Sequence, residues 1–256
     1  MIQLAVLAVV FLIILPAWII YKPPRSLINY FARRFPDVLF HINTADKIVA
    51  LTIDDTPSAY TKDILALLES NNATATFFVI GGQIHGEEQK AILVDIVRQG
   101  SELGNHAMHD EPSVSLASDV LESEIAEVDR FIEQAYQQAG EVRQQRWFRP
   151  GSGFFSRRIL NIAAAAEYTT ALGDIFPHDP IISSWRINAW HILSSLRPGG
   201  IIIIHDRRSW TVPLLRKILP AMRRKGYEVV SASRALEIAE GKRRQGSAAS
   251  SSGRPP

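Results

Sequence analysis

The 256-residue chain contains no cysteine. This absence excludes disulfides, zinc–thiolate sites and a cysteine nucleophile, so any bound metal has to be held by histidine and carboxylate side chains. The chain also lacks a large excess of charge, since its formal net charge is only +2. Such a small charge does not indicate a nucleic-acid-binding protein. The hydrophobic content of 46% is enough for a sizeable core, and the length suits one principal domain with small appendages.

Charged residues are missing from the start of the chain. Residues 2–21 are almost wholly apolar, and their number matches the roughly 20 residues that span a bilayer. Trp18 and Tyr21 are of the types found at membrane interfaces. No Lys or Arg precedes the apolar run and no small-residue cleavage site follows it, which favours an uncleaved anchor over a cleaved signal peptide. We therefore predict a single-pass membrane protein with a transmembrane helix over residues 1–22.

The rest of the chain divides into three further segments. Residues 23–46 are predicted to be juxtamembrane, with a basic amphipathic stretch at 26–35 that lies against the membrane surface. The main domain is predicted over residues 47–238. Residues 239–256 are predicted to form a disordered tail, because their end is rich in Ser, Gly, Arg and Pro.

Within the main domain, short apolar runs typical of strands alternate with helical patterns. The clearest helical pattern covers residues 121–135 and ends before Gly140, a suitable C-cap. Repeated β/α units predict a parallel sheet with helices outside it. About seven strands favour an α/β fold with a single distorted (β/α) barrel. The predicted strands are 48–53, 74–80, 102–103, 147–148, 170–172, 201–204 and 227–230.

Four polar clusters follow predicted strands, where reactive groups of parallel β/α folds collect. Asp54 and Asp55 end the first strand and could divide metal binding and proton transfer, although a turn or helix-capping pair is the alternative. His106, followed by His109 and Asp110, would offer zinc ligands on one face if this turn is helical. A solvated loop that happens to contain two histidines is the alternative.

The other two clusters contain one candidate residue each. Arg149 precedes Pro150 and could hold a carboxylate in a bidentate pair, while a surface Arg beside a turn is the alternative. His205 follows the buried strand 201–204, and a structural histidine is the alternative there. The order of the four clusters and their shared location at strand ends are what needs an explanation.

The ordered set of motifs resembles the polysaccharide deacetylase family (carbohydrate esterase family four), and in particular its chitin-deacetylase-like members. The resemblance covers about residues 47–236. It implies a metal-dependent hydrolase that removes N-acetyl groups from N-acetylglucosamine polymers, chitin or chitin-like oligosaccharides. It also implies a divalent metal, for which zinc is the first expectation and cobalt the second. The motifs that carry the resemblance are Thr52-Ile53-Asp54-Asp55, His106 with a second ligand close behind, Arg149-Pro150-x-x-Gly153 and Ile202-x-x-His205.

The resemblance also implies a role for each matching residue. Asp54 corresponds to the general base, Asp55 and His106 to metal ligands, Arg149 to the residue that orients the base, and His205 to the general acid. These five residues all retain the family's side chains.

Two roles of the family fall on altered or uncertain positions. Another metal-binding histidine of the family usually lies four residues after the first. That position is Asp110 here, and His109 lies one residue earlier, so Asp110 keeps the spacing and His109 keeps the chemistry. We take Asp110 as the first candidate and His109 as the second. For the acidic residue that supports the catalytic histidine, Asp179 is the first candidate and Asp174 the second.

A further departure from the family is Thr56, which stands where the family usually has Gly. If the backbone there needs a positive φ, a β-branched residue is unfavourable. Two alternatives to the deacetylase therefore stay open: a hydrolase of another non-peptide amide, and a non-catalytic, membrane-bound carbohydrate-binding pseudoenzyme.

The side of the membrane on which the main domain lies is open as well. The basic residues after the apolar run favour a cytoplasmic domain, whereas a polysaccharide substrate favours the other side.

Overall fold

A computed structural model of the protein describes the backbone of residues 9–251 and the side chains of residues 9 and 11–241. Two predicted segments lie partly outside this range: the start of the transmembrane helix, residues 1–8, and the end of the tail, residues 252–256.

The described residues contain one parallel sheet with helices packed on it. Seven of its strands follow the order β1-β6-β5-β4-β3-β2-β7, and β8 pairs with the first residues of β2. Each of the seven predicted strands is present in this sheet. The strands are β1 (Val38–Leu39), β2 (Ile48–Thr56), β3 (Thr76–Val79), β4 (Glu102–Asn105), β5 (Trp147–Phe148), β6 (Thr169–Ala171), β7 (Gly200–His205) and β8 (Glu228–Val230).

The sheet curls into a half-barrel whose two ends approach each other. Ile175, which follows β6, forms a parallel bridge with Ile202 of β7. Its N–H donates to the carbonyl of Ile201 at 3.1 Å, and its carbonyl accepts from Ile203 N–H at 3.0 Å. The predicted α/β class and distorted barrel are therefore confirmed at this level.

The helices cover the sheet with their apolar faces. The predicted face over residues 121–135 of α5 is buried, and Gly140 ends this helix with a left-handed φ of 74°. The helices are α1 (Leu15–Tyr21), α2 (Arg25–Arg34), α3 (Thr61–Ser70), α4 (Glu87–Arg98), α5 (Ser118–Ala139), α6 (Arg157–Ala165), α7 (Trp185–Ser195), α8 (Thr211–Arg224) and α9 (Ala232–Ser251).

The segment predicted to be juxtamembrane contributes to the main domain. Val38 and Leu39 of β1 pair with Thr170 and Ala171 of β6. Ile28 of α2 is buried in a cluster with Val38, so one face of the basic amphipathic helix packs on protein. The prediction that residues 23–46 lie wholly outside the domain is corrected accordingly. A strand of two residues has no alternating pattern that sequence analysis can detect.

Helix α9 corrects the start of the predicted tail. The helix continues to Ser251, and Ala235 and Ala239 are buried in a core cluster. Because the first turns of α9 are held by this packing, extending the helix adds one hydrogen bond for each further residue. The tail predicted from residue 239 is therefore helical backbone as far as Ser251.

The predicted transmembrane helix is not supported by the described residues. Among them, no single helix has both the length and the apolar character needed to cross a membrane. Two successive helices, Phe11–Tyr21 and Arg25–Arg34, are long and apolar enough only when they are taken together, and the angle between them is 68°.

A buried ion pair joins the two approaching ends of the sheet. Asp174, which follows β6, accepts hydrogen bonds from Arg197 Nε at 3.0 Å and Nη2 at 2.7 Å. Its other carboxylate oxygen accepts from the N–H of Ile201 in β7 at 2.8 Å. His41 Nδ1 lies 2.7 Å from the same carboxylate.

We predict that Asp174→Ala lowers the free energy of unfolding by about 3–5 kcal/mol, because it leaves the Arg197 guanidinium buried without its partner. Urea denaturation followed by circular dichroism measures this loss. The matched control is Asp37→Ala, which breaks an Asp–Arg pair whose side chains are 64% and 55% exposed. The control should cost less than about 1 kcal/mol. Equal losses in the two variants would contradict the prediction.

Candidate active site

Strand register brings the first and last polar clusters together. Asp54 in β2 is the direct neighbour of His205 in β7. Both side chains are buried, and His205 Nε2 lies 3.9 Å from Asp54 Oδ2. Because β2 is buried along its whole length, these polar groups are held at the end of an apolar strand.

Arg149 fixes Asp54 from across the barrel. Its Nη1 donates to Asp54 Oδ1 at 2.5 Å and to Thr52 Oγ1 at 2.9 Å. Nε and Nη2 donate to the carbonyls of Ala171 and Leu172 at 3.0 and 2.6 Å. The guanidinium also lies over the Phe78 ring, 4.1 Å from its centroid. The guanidinium is therefore held by β2, β3 and the end of β6.

Asp54 is ionised in this environment. Burial opposes ionisation, but the Arg149 guanidinium, with smaller contributions from His106 and His205, holds the pKa of Asp54 below its usual value.

Asp179, the first candidate for the acidic residue beside His205, contacts this histidine. Asp179 Oδ1 lies 3.0 Å from His205 Nδ1, and Oδ2 accepts from the His205 backbone N–H at 2.9 Å. Burial lowers the pKa of His205, but the hydrogen bond and charge of Asp179, with Asp54 and Asp55, raise it to about 9. The imidazole is therefore protonated at neutral pH. The second candidate, Asp174, instead contacts Arg197 and His41.

Three predicted ligands converge beside this pair. Asp55, His106 and Asp110 each offer one ligand atom, and these atoms lie within 4.8 Å of one another. Both carboxylate oxygens of Asp55 are buried without a hydrogen-bond partner among the described residues. Burial, with the charges of Asp110 and Asp54, raises the pKa of Asp55 above its usual value despite the opposing effect of His205 and His106. A buried carboxylate in this state is stabilised by a cation.

A backbone carbonyl fixes the tautomer of His106. Its Nδ1 lies 2.6 Å from the carbonyl oxygen of Arg149, so Nδ1 carries the hydrogen and Nε2 is left with a free lone pair. The donor set of one imidazole and two carboxylates fits zinc or cobalt.

His109 lies apart from these ligands. The metal-ligand cluster found among the described residues contains Asp110 and not His109, whose ring packs close to Gly82. The condition that this turn is helical is not met, because residues 106–110 are irregular and Ala107 has a left-handed φ of 61°. Asp110 therefore reaches the cluster through a bend in the loop and not through helical spacing.

Thr56 does not carry the strain considered from the sequence. The positive φ of 65° belongs to Asp55, one residue earlier. The hydroxyl of Thr56 donates to the carboxylate of Asp206 at 3.2 Å. Ser58 and Thr61 donate to the same carboxylate at 2.7 and 2.5 Å. Thr56 is therefore part of a hydroxyl cluster around Asp206.

Sequence analysis missed the contributions of Asp206 and Arg208. Burial raises the pKa of Asp206 to about 6, although the hydrogen bonds from the three hydroxyl groups act to lower it. Arg208 Nη2 lies 3.9 Å from Asp55 Oδ2. The hydroxyl-rich stretch after Asp55 was a signal for the Asp206 contacts, but nothing near Arg208 in the sequence indicated its position.

Comparison with known proteins agrees with this geometry. Residues 41–171 match the family profile described as polysaccharide deacetylase. A peptidoglycan-N-acetylglucosamine deacetylase of Bacillus cereus is 30% identical over 205 residues, which cover 78% of this chain and 92% of the relative. A chitooligosaccharide deacetylase of Sinorhizobium fredii is 30% identical over 198 residues, covering 72% of this chain and 89% of the relative.

Two solved structures share the fold. An acetyl xylan esterase of family 4 from Clostridium thermocellum, in complex with a cobalt ion, has a TM-score of 0.67 at 27% identity and covers 75% of this chain and 91% of its own. A CE4-family pseudoenzyme from Bacillus anthracis has a TM-score of 0.69 at 26% identity and covers 78% and 68%. The profile match over half of the chain, and the 30% identity to a deacetylase aligned over 92% of its length, show that this chain belongs to the polysaccharide deacetylase family.

Proposed function

We propose that the protein is a metal-dependent N-deacetylase that acts on N-acetylglucosamine polymers or oligosaccharides of the chitin type. The observation that carries this proposal is the pair formed by an ionised Asp54 and a protonated His205, 3.9 Å apart, beside the buried Asp55 carboxylate, which has no hydrogen-bond partner among the described residues. An acid and a base in opposite protonation states are what amide hydrolysis requires. The two relatives act on peptidoglycan and chitooligosaccharide, which supports this substrate class.

Asp55, His106 and Asp110 are the residues that would hold the divalent ion. When bound, such an ion supplies Lewis acidity towards an amide carbonyl and towards water. The fit rests on the donor types and on the two buried Asp55 oxygens without hydrogen-bond partners among the described residues.

The protein's own residues account for the proton transfers. Asp54 accepts a proton from the attacking water, and Arg149 keeps this carboxylate ionised and aimed. His205 donates its proton to the departing amide nitrogen as the carbon–nitrogen bond breaks, because without this proton the nitrogen would have to leave as an anion, which is a poor leaving group. Asp179 keeps His205 protonated. The products are acetate and a free amino sugar.

We predict that Asp54→Asn and His205→Ala each lower acetate release from chitin oligomers by at least about 100-fold, because each removes one proton-transfer group. Acetate is measured enzymatically, and circular dichroism checks that each variant keeps its fold. Asp37→Asn, which changes a carboxylate of an exposed ion pair with Arg157, is the control and should keep full activity. Full activity in either active-site variant would refute the assignment.

We predict that Asp55→Asn, His106→Ala and Asp110→Ala each weaken zinc or cobalt binding by more than about 100-fold, since each removes a ligand and not merely an outer-shell contact. Isothermal titration calorimetry on metal-free protein measures this affinity. His109→Ala is the matched control, because His109 directly precedes Asp110 in the same loop but is not a member of the cluster. A loss in His109→Ala with retention in Asp110→Ala would reverse the ligand assignment.

A pseudoenzyme is the competing hypothesis, because one structural neighbour is a CE4-family pseudoenzyme. Absence of metal binding, together with absence of acetate release after zinc or cobalt is added, would favour it. A hydrolase of another non-peptide amide, such as a cyclic amide or an acetylated small molecule, would bind the metal but release no acetate from chitin oligomers, so a substrate panel separates it from the proposed enzyme.

We also propose that the N-terminal segment attaches the protein to a membrane. Among the described residues, Phe11, Leu12 and Ile20 are 62%, 76% and 72% exposed, which is unfavourable in water.

We predict that the full chain stays in the membrane pellet after carbonate extraction, whereas a chain without residues 1–20 does not. Extraction of the full chain into the supernatant would contradict the proposal.

A further inference from the structure

The end of the N-terminal helix is fixed to the main domain by two successive residues. The ring of Tyr21 packs edge-on against His191 of α7, with 4.6 Å between ring centroids. Lys22 Nζ donates to Ser194 Oγ at 2.8 Å and lies over the Trp190 ring, 5.2 Å from its centroid. The segment therefore reaches α7 at a defined position.

Tyr21 also contacts the loop between β6 and α7. Its ring stacks on His178, with 5.4 Å between centroids and 25° between planes. His178 in turn packs against Phe176, with 4.6 Å between centroids. The carbonyl of His178 accepts hydrogen bonds from the N–H groups of Ile181 and Ile182 at 3.0 and 2.8 Å.

The backbone of His178 depends on these contacts. Its φ of 59° lies in the left-handed region, which is unfavourable for a residue with a Cβ. Such a conformation persists only where the surroundings hold it. One face of the His178 ring is covered by Tyr21, a residue from the N-terminal segment.

The next residue in the chain is Asp179, which holds His205 through both carboxylate oxygens. Phe176, which lies two residues before His178 in the sequence, also approaches the His205 ring, with 6.0 Å between ring centroids. A continuous series of contacts therefore runs from Tyr21 through His178 and Asp179 to His205.

We propose that Tyr21 is a positioning residue for His205, acting through the His178–Asp179 loop, so that the N-terminal segment completes the support of the active site. The inference rests on the proposed function for its kinetic consequences, whereas the placement of His205 can be measured without turnover. Loss of the Tyr21 ring removes one side of the packing that holds His178 and so loosens Asp179.

The test compares Tyr21→Ala, Tyr21→Phe and Tyr30→Ala in the full chain. Tyr30 is the control, because it lies on the neighbouring helix α2 and is 61% exposed. For Tyr21→Ala we expect kcat to fall by about 10- to 100-fold with KM nearly unchanged, since misplacing a group that contacts the reacting atoms affects the chemical step. Tyr21→Phe keeps the ring and should restore kcat, and Tyr30→Ala should behave as the original protein.

The pH dependence gives a second measure of the same effect. The charged groups that act on His205 are Asp179, Asp54 and Asp55, and together they raise its pKa to about 9. Because His205 has to be protonated to donate, activity is lost as pH rises through this pKa. With Asp179 displaced, the pKa falls, so the alkaline limb of kcat/KM moves to lower pH in Tyr21→Ala. The His205 imidazole signal, titrated by NMR, should move in the same direction.

The outcomes separate this inference from the proposed function. If Tyr21→Ala keeps the kcat, the alkaline limb and the His205 titration of the original protein, or only loses thermal stability, the inference is wrong. If the original protein releases no acetate, the deacetylase proposal fails. In that case the contact between Asp179 and the His205 ring decides the inference: a change in the NMR signal of the His205 Nδ1 hydrogen in Tyr21→Ala but not in Tyr21→Phe supports it, and identical signals overturn it.

Discussion

The buried ion pair between Arg149 and Asp54 is the interaction on which the rest of the site depends. One guanidinium nitrogen binds Asp54, while the other two bind the carbonyls of Ala171 and Leu172. The pair therefore joins β2 to the far side of the curled sheet and keeps one carboxylate charged inside an apolar barrel. Because each partner would be an uncompensated buried charge without the other, the geometry of this end of the barrel is tightly constrained.

Two adjacent aspartates have opposite environments as a result. Asp54 is paired and its pKa is low, whereas Asp55 is buried without a hydrogen-bond partner among the described residues and its pKa is raised. The left-handed backbone of Asp55 interrupts the alternation of the strand. Next to them, Asp206 takes three hydroxyl donors and stabilises the loop that follows. Neighbours in sequence thus differ in chemistry because their partners come from different strands.

Sequence analysis predicted the strands and the strand-end location of Asp54, Asp55, Arg149 and His205, because apolar runs and the β/α alternation are local signals. It ranked Asp110 above His109 by family spacing, and the structure places Asp110 beside Asp55 and His106, although the loop is not the helical turn that would have put these side chains on one face. Strand β1 was missed because two residues show no periodicity. The contacts of Asp206 and Arg208 were missed because they join residues distant in the chain, which only the tertiary fold brings together.

Strand β1 has a consequence for any shortened form of the protein. The family match begins at residue 41, after β1, so a shortened chain that starts at this residue would lose the strand that covers the edge of β6. The uncovered edge would present unpaired N–H and C=O groups, which favour aggregation. It would also lie directly beside Leu172, whose N–H is bound by the Leu39 carbonyl and whose own carbonyl holds Arg149. Truncation at residue 41 would therefore reduce solubility. It would also weaken the support of Arg149, the residue that holds the Asp54 carboxylate.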